Sequence, residues 1–167
     1  MTVGQGRTQP KSWKTKYIKY NWGCWNVRSL NSQLTLTDNG EIKIEGKEPQ
    51  KIDELCAELQ KHNLSLCVVS EHRWRDKGTY RVNDHWTFLY SGLDKSSEIR
   101  ASQGVGILLN QDMLSAWRRA GELCEYRSAR LLRIRLFIRN RYVSVVSCYA
   151  PTYTHAEVEK ERFYKEL

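Results

Sequence analysis

Three polar residues stand where short runs of strand-forming residues end: Asn26, Glu71 and Tyr149. In sheets packed with helices, sites gather at strand ends, because the loops there are released from the packing demands of the core. A glutamate in such a place is a hard oxygen ligand of the kind that Mg²⁺ takes. An amide can orient a carboxylate or a phosphate, and a phenol can donate to a phosphate oxygen. The residue types are therefore compatible with phosphate chemistry at a metal ion.

The same three residues have ordinary structural explanations. A glutamate after a strand is commonly a solvated loop residue, Asn26 fits a turn, and Tyr149 fits a core aromatic whose hydroxyl is hydrogen-bonded. One carboxylate alone also makes a poor metal site. The residue types by themselves leave both interpretations open.

Apolar patterning predicts the elements that would position these side chains. Residues Ile52, Leu55, Cys56 and Leu59 recur at helical spacing, after Pro49 at a suitable first position, and predict a helix ending near 62–63. Strands are predicted at 17–27, 64–70, 86–92, 104–109, 131–138 and 142–149, those at 64–70 and 142–149 being buried on both faces.

Two shorter helices and the domain limits follow from local signals. Asn110 is predicted to cap a helix, and a capping box at 154–157 is predicted to open another. Residues 1–16 form a predicted basic flexible leader, 17–167 one domain, and 31–48 a hairpin insertion around an Asp-Asn-Gly turn. Strands separated by helices indicate a layered α/β fold with mixed sheets.

The charge and the cysteines limit the classes of protein. The net charge is +8, and the arginines from 127 to 141 include Arg133 and Arg135 on one face of a predicted strand. This pattern suits a polyanionic partner, and equally a solvated strand face. The five cysteines, an odd count with no CxxC pair, are expected to be mostly buried free thiols. No run of about eighteen apolar residues occurs, so no membrane span is predicted, nor is a secretory signal.

Four short motifs occur in order along the chain: Trp-Asn-Val-Arg-Ser-Leu at 25–30, Val-Ser-Glu-His-Arg-Trp at 69–74, Gly-Val-Gly-Ile at 104–107 and Tyr-Ala-Pro-Thr at 149–152. The series resembles the endonuclease/exonuclease/phosphatase superfamily. More narrowly, it is similar to the apurinic-endonuclease-like nucleases of non-LTR retrotransposons and of craniofacial development protein 2-like proteins. The resemblance spans residues 18–167.

The resemblance implies an incomplete four-layer α/β sandwich, with two mixed sheets face to face and helices outside. It implies cleavage of phosphodiester bonds, with DNA as the expected partner and Mg²⁺ or Mn²⁺ as cofactor. Carried over by position, Glu71 would ligate the metal, Asn26 would lie beside it, and Tyr149 would contact the scissile phosphate. Arg28 and His72, next to this site, are weaker candidates for contact with nucleic acid, as are the two strand arginines already named.

The family pattern continues with Gly-Asp-x-Asn and Ser-Asp-His segments, and neither occurs after Tyr149. We therefore expect a C-terminally truncated domain that is inactive or nearly so on its own. One alternative is a non-enzymatic nucleic-acid-binding module derived from such a domain. Another keeps the superfamily but acts on a phosphorylated lipid or small molecule. An intracellular and more specifically nuclear location is expected, without a small-molecule cofactor; the sequence assigns no oligomeric state.

Overall fold

The computed structural model describes residues 19–30, 35–36, 42–43, 51–97 and 103–167. The predicted leader at 1–16, the turn at 38–40 and Pro49 lie outside these ranges. In chain order the elements are β1 (Trp22–Asn26), β2 (Thr35–Leu36), β3 (Ile42–Lys43), α1 (Lys51–Lys61), β4 (Leu66–Ser70), β5 (Lys77–Arg81), β6 (Trp86–Ser91), β7 (Val105–Asn110), α2 (Gln111–Arg119), β8 (Cys124–Ser128), β9 (Leu131–Ile138), β10 (Arg141–Cys148) and α3 (Glu157–Glu166).

Two sheets organise the described residues. The first has the strand order β1-β4-β7-β6-β5, and only its β1–β4 pair is parallel. The second is antiparallel, in the order β10-β9-β8. The short strands β2 and β3 pair with each other inside the segment predicted to be an insertion. The parallel pairing matters most for the site, because it brings the C-terminal ends of β1 and β4 to the same edge.

The core consists of two apolar layers on opposite faces of the first sheet. Alternation along β4 sends Leu66 and Val68 toward the second sheet and α2, and Cys67 and Val69 toward α1. The layer between the sheets includes Leu109 and residues of β9. Fully burying one leucine side chain contributes about 2 kcal/mol to the free energy of folding. The fold is therefore an α/β sandwich, as predicted. No helix in the described ranges is both long and apolar enough to cross a bilayer.

Most predicted elements are present, with ends shifted by a few residues. The helical residues Ile52, Leu55, Cys56 and Leu59 are all buried, and β9 has the predicted bounds. Asn110 caps α2, since its Oδ1 accepts a hydrogen bond from the Met113 amide at 3.0 Å. The strands β5 and β8 were not predicted, because both lie at sheet edges and their half-exposed residues lack apolar alternation.

Three expectations are wrong. The last strand, predicted to be buried on both faces, alternates between buried Val145 and Ser147 and exposed neighbours, because no described element covers the outer face of the second sheet. The predicted capping box does not form, since α3 begins at Glu157 without a side-chain cap and the Thr154 hydroxyl pairs with that of Thr152.

The cysteines are the third case. All five are free, yet only Cys56 and Cys67 are buried; Cys124 is partly exposed, and Cys24 and Cys148 are exposed. Burial raises the pKa of the Cys56 and Cys67 thiols to about 12, which makes them unreactive packing groups at neutral pH. Cys148 lies on the exposed face of β10, and Cys24 lies in the edge strand β1, in which every residue except the half-buried Gly23 is exposed.

Candidate functional site

The ends of β1 and β4 place Asn26 and Glu71 side by side. Asn26 pairs in register with Ser70, the residue before Glu71. Beyond the strands, two backbone hydrogen bonds keep the following loops together: Val27 donates to Ser70 O at 3.1 Å, and Leu30 donates to His72 O at 3.0 Å. The two loops therefore hold a fixed relative position, and their polar side chains meet at the edge of the sheet.

The Glu71 carboxylate accepts hydrogen bonds from both sheets on one oxygen. Asn26 Nδ2 donates to Oε1 at 2.6 Å, and the Tyr149 hydroxyl donates to the same atom at 2.8 Å. Two residues earlier in each strand, the buried Ser147 hydroxyl donates to Val69 O at 3.3 Å. This second bond joins β10 to β4 just below the site and so fixes the approach of Tyr149. Asn26, Glu71 and Tyr149 are thus brought together, and we call them the carboxylate cluster.

The charges of the carboxylate cluster follow from these contacts. The hydrogen bond from Asn26 lowers the pKa of Glu71 most, that from Tyr149 comes next, and the positive charges of Arg73 and Arg28 lower it further. The hydrogen bond to Glu71 raises the pKa of Tyr149, because ionisation would place two negative charges together. At neutral pH the carboxylate is therefore ionised and the phenol keeps its proton.

The backbone beside the carboxylate cluster is unusual. Glu71 and Arg73 have φ of 58° and 61°, and Arg28 and Ser29, after β1, have φ of 51° and 134°. Residues with a side chain adopt such angles at a cost of about 1–3 kcal/mol each, and these angles concentrate at functional sites. The strained turns let side chains leave the sheet edge immediately after each strand. They also place two cationic side chains near the ionised carboxylate.

His72 cannot contact nucleic acid, so this part of the expectation is wrong. The side chain is completely buried. Its Nε2 lies 3.1 Å from Val105 O and 3.3 Å from Ser91 O, and its Nδ1 accepts a hydrogen bond from the Trp74 amide at 2.9 Å. Because carbonyl groups only accept, Nε2 carries the hydrogen and the ring is neutral. Burial lowers its pKa to about 4, which makes His72 a structural support for the loop that holds Glu71.

The strand arginines lie away from the carboxylate cluster. Arg133 and Arg135 are exposed on the outer face of β9, whereas Tyr149 follows the inward-facing residues of β10. Arg133 also forms an ion pair with Glu125, as does Arg127, so an acidic residue of β8 lies among these arginines in space. Of the predicted basic residues only Arg28 adjoins the cluster, where its amide donates to Asn26 Oδ1 at 3.1 Å.

Arg130 adjoins the site although the sequence analysis did not select it. Its Nη1 donates to Tyr149 O at 3.2 Å, and its guanidinium carbon lies 5.5 Å from the centre of the tyrosine ring. Its place is set by the β9–β10 hairpin and not by a sequence motif. The tight turn at Arg139-Asn140, where both residues have positive φ, sets the β9–β10 register, and this register places Arg130 opposite Tyr149.

The chemistry of the donor set fits a hydrated Mg²⁺ ion. The described residues contain no group of three or more His, Cys, Asp or Glu side chains that could enclose a metal. Mg²⁺ does not need such a cage, since it commonly keeps several waters and uses one or two carboxylates together with substrate phosphates. Glu71 offers an ionised carboxylate whose Oε1 accepts the hydrogen bonds from Asn26 and Tyr149. Oε2 is the atom that could ligate a cation.

Comparison with known proteins gives a distant relationship. No protein-family model matches the chain. Craniofacial development protein 2 of Bos taurus is 28% identical over 149 residues, which cover 89% of this chain and 21% of that protein. The protein of the same name from Tragulus javanicus is 27% identical over 149 residues, with the same coverage. The chain thus spans about a fifth of the length of these curated relatives.

Proposed function

We propose that the carboxylate cluster is the metal- and phosphate-binding part of a Mg²⁺- or Mn²⁺-dependent phosphodiesterase site of the endonuclease/exonuclease/phosphatase type, acting on DNA. The observation that carries the proposal is the convergence on Glu71 Oε1. A side chain from each sheet donates to one oxygen of an ionised carboxylate, at 2.6 and 2.8 Å. A glutamate serving only solubility needs neither partner, and the four sequence motifs surround this same point.

In the proposed site each residue has a separate task. Glu71 would hold the cation, and Asn26 orients the carboxylate by its hydrogen bond. Bound Mg²⁺ supplies Lewis-acid stabilisation of charge on a phosphoryl oxygen. The Tyr149 hydroxyl has a single proton, which it donates to Glu71 Oε1, and its raised pKa keeps that proton in place at neutral pH. When substrate binds, the hydroxyl would exchange this acceptor for a phosphate oxygen. Arg28, which is exposed beside the cluster, provides a positive charge for the nucleic-acid backbone.

The chain by itself is proposed to have little or no activity. In-line attack needs a group that orients or deprotonates water in addition to a metal and a charge clamp. The 167 residues contain neither a Gly-Asp-x-Asn nor a Ser-Asp-His segment after Tyr149. Groups that act as a unit in catalysis are strongly non-additive, so a partial set leaves almost none of the rate enhancement.

A second candidate function is nucleic-acid binding without catalysis. The observation that favours it is the net charge of +8, together with exposed arginines on the outer face of the second sheet. Such binding would weaken steeply with salt, since each phosphate contact releases counterions. It would be indifferent to Mg²⁺ at Glu71, which separates it from the first proposal.

The discriminating experiment measures DNA binding by fluorescence anisotropy, in Mg²⁺ and in EDTA at matched ionic strength. The proteins are the wild type, Glu71→Gln and, as a matched control, Glu125→Gln, which removes a hydrogen-bonded carboxylate elsewhere. The site proposal predicts that Mg²⁺ strengthens binding by the wild type and the control but not by Glu71→Gln. Equal Mg²⁺ responses in all three would support the binding module instead.

Catalysis is measured separately with a supercoiled-plasmid nicking assay in Mg²⁺. The chain alone should nick DNA at or near the rate of a buffer blank. Robust nicking that disappears in Glu71→Ala would show that the proposed inactivity is wrong while supporting the site. Nicking that persists in Glu71→Ala points to a contaminating nuclease or a different site.

A further inference from the structure

The contacts of Arg130 converge on Tyr149. Arg130 lies in the turn between β8 and β9 and is half-buried. The Tyr149 amide donates to Arg130 O at 2.9 Å, and Arg130 Nη1 donates back to Tyr149 O at 3.2 Å. The guanidinium carbon also lies 5.5 Å from the centre of the Tyr149 ring, within the range of a cation–π contact. One arginine thus holds the backbone of Tyr149 at two points and its ring at a third.

The far side of the guanidinium is itself anchored. Arg130 Nη2 lies 3.0 Å from His155 Nε2, and His155 Nδ1 lies 2.8 Å from the Thr152 hydroxyl. The planar fork of an arginine can make two directed contacts at once without losing its stacking position. Arg130 therefore bridges Tyr149 to the segment that follows it, and its position is fixed from both sides.

We propose that Arg130 is a positioning residue, which keeps the Tyr149 hydroxyl directed at Glu71 Oε1. The position of a phenolic oxygen is set by the plane and position of its ring, so a group that fixes the ring also fixes where the hydroxyl lies. The consequence for phosphate binding rests on the proposed function, whereas the positioning itself does not. The sequence analysis assigned Arg130 no such role, since it stands in an arginine-rich segment that suited a polyanionic partner and a solvated strand face equally.

Arg130 does not act simply as a counter-charge for Glu71. The arginines whose charges lower the pKa of Glu71 are Arg73 and Arg28, whereas Arg130 acts on Tyr149, whose pKa its charge lowers. The geometry agrees, because Arg130 contacts Tyr149 and Tyr149 in turn donates to the Glu71 carboxylate. Loss of Arg130 is therefore expected to reach Glu71 only through Tyr149.

The chain contains a matched control for this proposal. Arg135 lies over the ring of Tyr142 at the same distance, 5.5 Å, on the exposed face of the second sheet. Replacing Arg135 removes the same charge and the same kind of ring contact, but at a place without contact to the carboxylate cluster. Any effect common to Arg130→Met and Arg135→Met reflects net charge or general stability, and any difference reflects position.

The test uses the side-chain amide of Asn26 as a reporter, in metal-free protein labelled with ¹⁵N. Asn26 Nδ2 donates to the same Glu71 oxygen as Tyr149, so departure of the tyrosine hydroxyl leaves that oxygen a stronger acceptor. The Asn26 amide proton should move downfield in Tyr149→Phe and, in the same direction, in Arg130→Met. Arg135→Met should leave it unchanged. In Arg130→Met/Tyr149→Phe the resonance should lie where Tyr149→Phe alone places it.

Three results would overturn the proposal. One is an unchanged Asn26 resonance in Arg130→Met while Tyr149→Phe moves it, and another is a further shift on adding Arg130→Met to Tyr149→Phe. The third is Arg130→Lys restoring the wild-type position, because lysine keeps the charge without the fork. If Arg130→Met does not fold, the Asn26 resonance in Arg130→Lys alone tests the proposal, which predicts a downfield shift there too. No metal or DNA is present, so failure of the proposed function would not alter the result.

Discussion

Mild acid should destabilise the fold through His72, and the sign follows from its burial. The folded state holds the ring neutral, with a pKa of about 4 against an ordinary value of 6.5. As the pH falls below 6.5, His72 therefore binds a proton in the unfolded chain but not in the folded chain. Stability is fully present above that value and is lost progressively as the pH approaches 4.

The magnitude follows from the two pKa values. One pKa unit corresponds to about 1.4 kcal/mol, so the full effect of His72 is about 3 kcal/mol. Between pH 7.5 and 5.0 the folded state should lose about 2 kcal/mol of its free energy of unfolding. With an ordinary urea dependence, this loss lowers the midpoint of unfolding by roughly 1 M. Glu71, whose pKa is lowered in the folded state, also contributes to the pH dependence of stability, but at lower pH. The stability that its carboxylate contributes is lost only as the pH falls through the lowered pKa.

The assay is urea unfolding followed by tryptophan fluorescence at several pH values from 7.5 to 5.0. His72→Gln should be less stable at pH 7.5 but should lack most of the slope, since glutamine does not titrate. The ring can also be followed directly by NMR, and should remain the neutral Nε2–H tautomer at pH 5.0. A flat stability profile, or a His72 ring that titrates near 6.5, would refute the account of a buried and desolvated histidine.

Three further predictions concern single substitutions. Tyr149→Phe should raise the pKa of Glu71, because one of the two hydrogen bonds that lower this pKa is lost. The pKa is measured from the ¹³C shift of the Glu71 carboxyl group as a function of pH, and an unchanged value would contradict the contact. Gly104→Ala should lower the free energy of unfolding by about 3 kcal/mol or more, since the new methyl group would lie 2.6 Å from His72 Cε1 and residue 104 has a φ of 135°. Urea unfolding measures this loss, and an unchanged stability would contradict the position of His72 beside Gly104. Asn110→Ala should cost about 1 kcal/mol by removing the α2 cap, whereas Asn110→Asp should cost far less, and equal losses would argue against capping.

The sequence predicted those parts of the fold in which one physical demand dominates. The alternation in β9 and the apolar run in β4 reflect burial on one or both faces, and both strands form where expected. The strand at 142–149 was misjudged because its apolar residues do not reveal which face has a covering element. The edge strands β5 and β8 were missed because an edge position relaxes the alternation on which the prediction depends.

For the site, the sequence predicted the strand ends but not how they are joined. Parallel pairing of β1 and β4 explains why Asn26 meets Glu71, and this was within reach of strand reasoning. The approach of Tyr149 depends on the packing of two sheets, which local patterns do not contain. His72 illustrates the opposite error. Its position after Glu71 favoured an exposed role, yet a positive φ at Glu71 allows the chain to turn its next side chain into the core.

The most direct test of the central claim is to map Mn²⁺ on the ¹⁵N-labelled chain by paramagnetic line broadening. A cation at Glu71 should broaden first the Asn26 side-chain amide and the backbone amides of residues 70–73, and excess Mg²⁺ should reverse the effect. Glu71→Gln should abolish the localised broadening, and Glu125→Gln should leave it intact. Broadening centred elsewhere, or broadening at residues 70–73 that persists in Glu71→Gln, would contradict the assignment of the carboxylate cluster as a metal site.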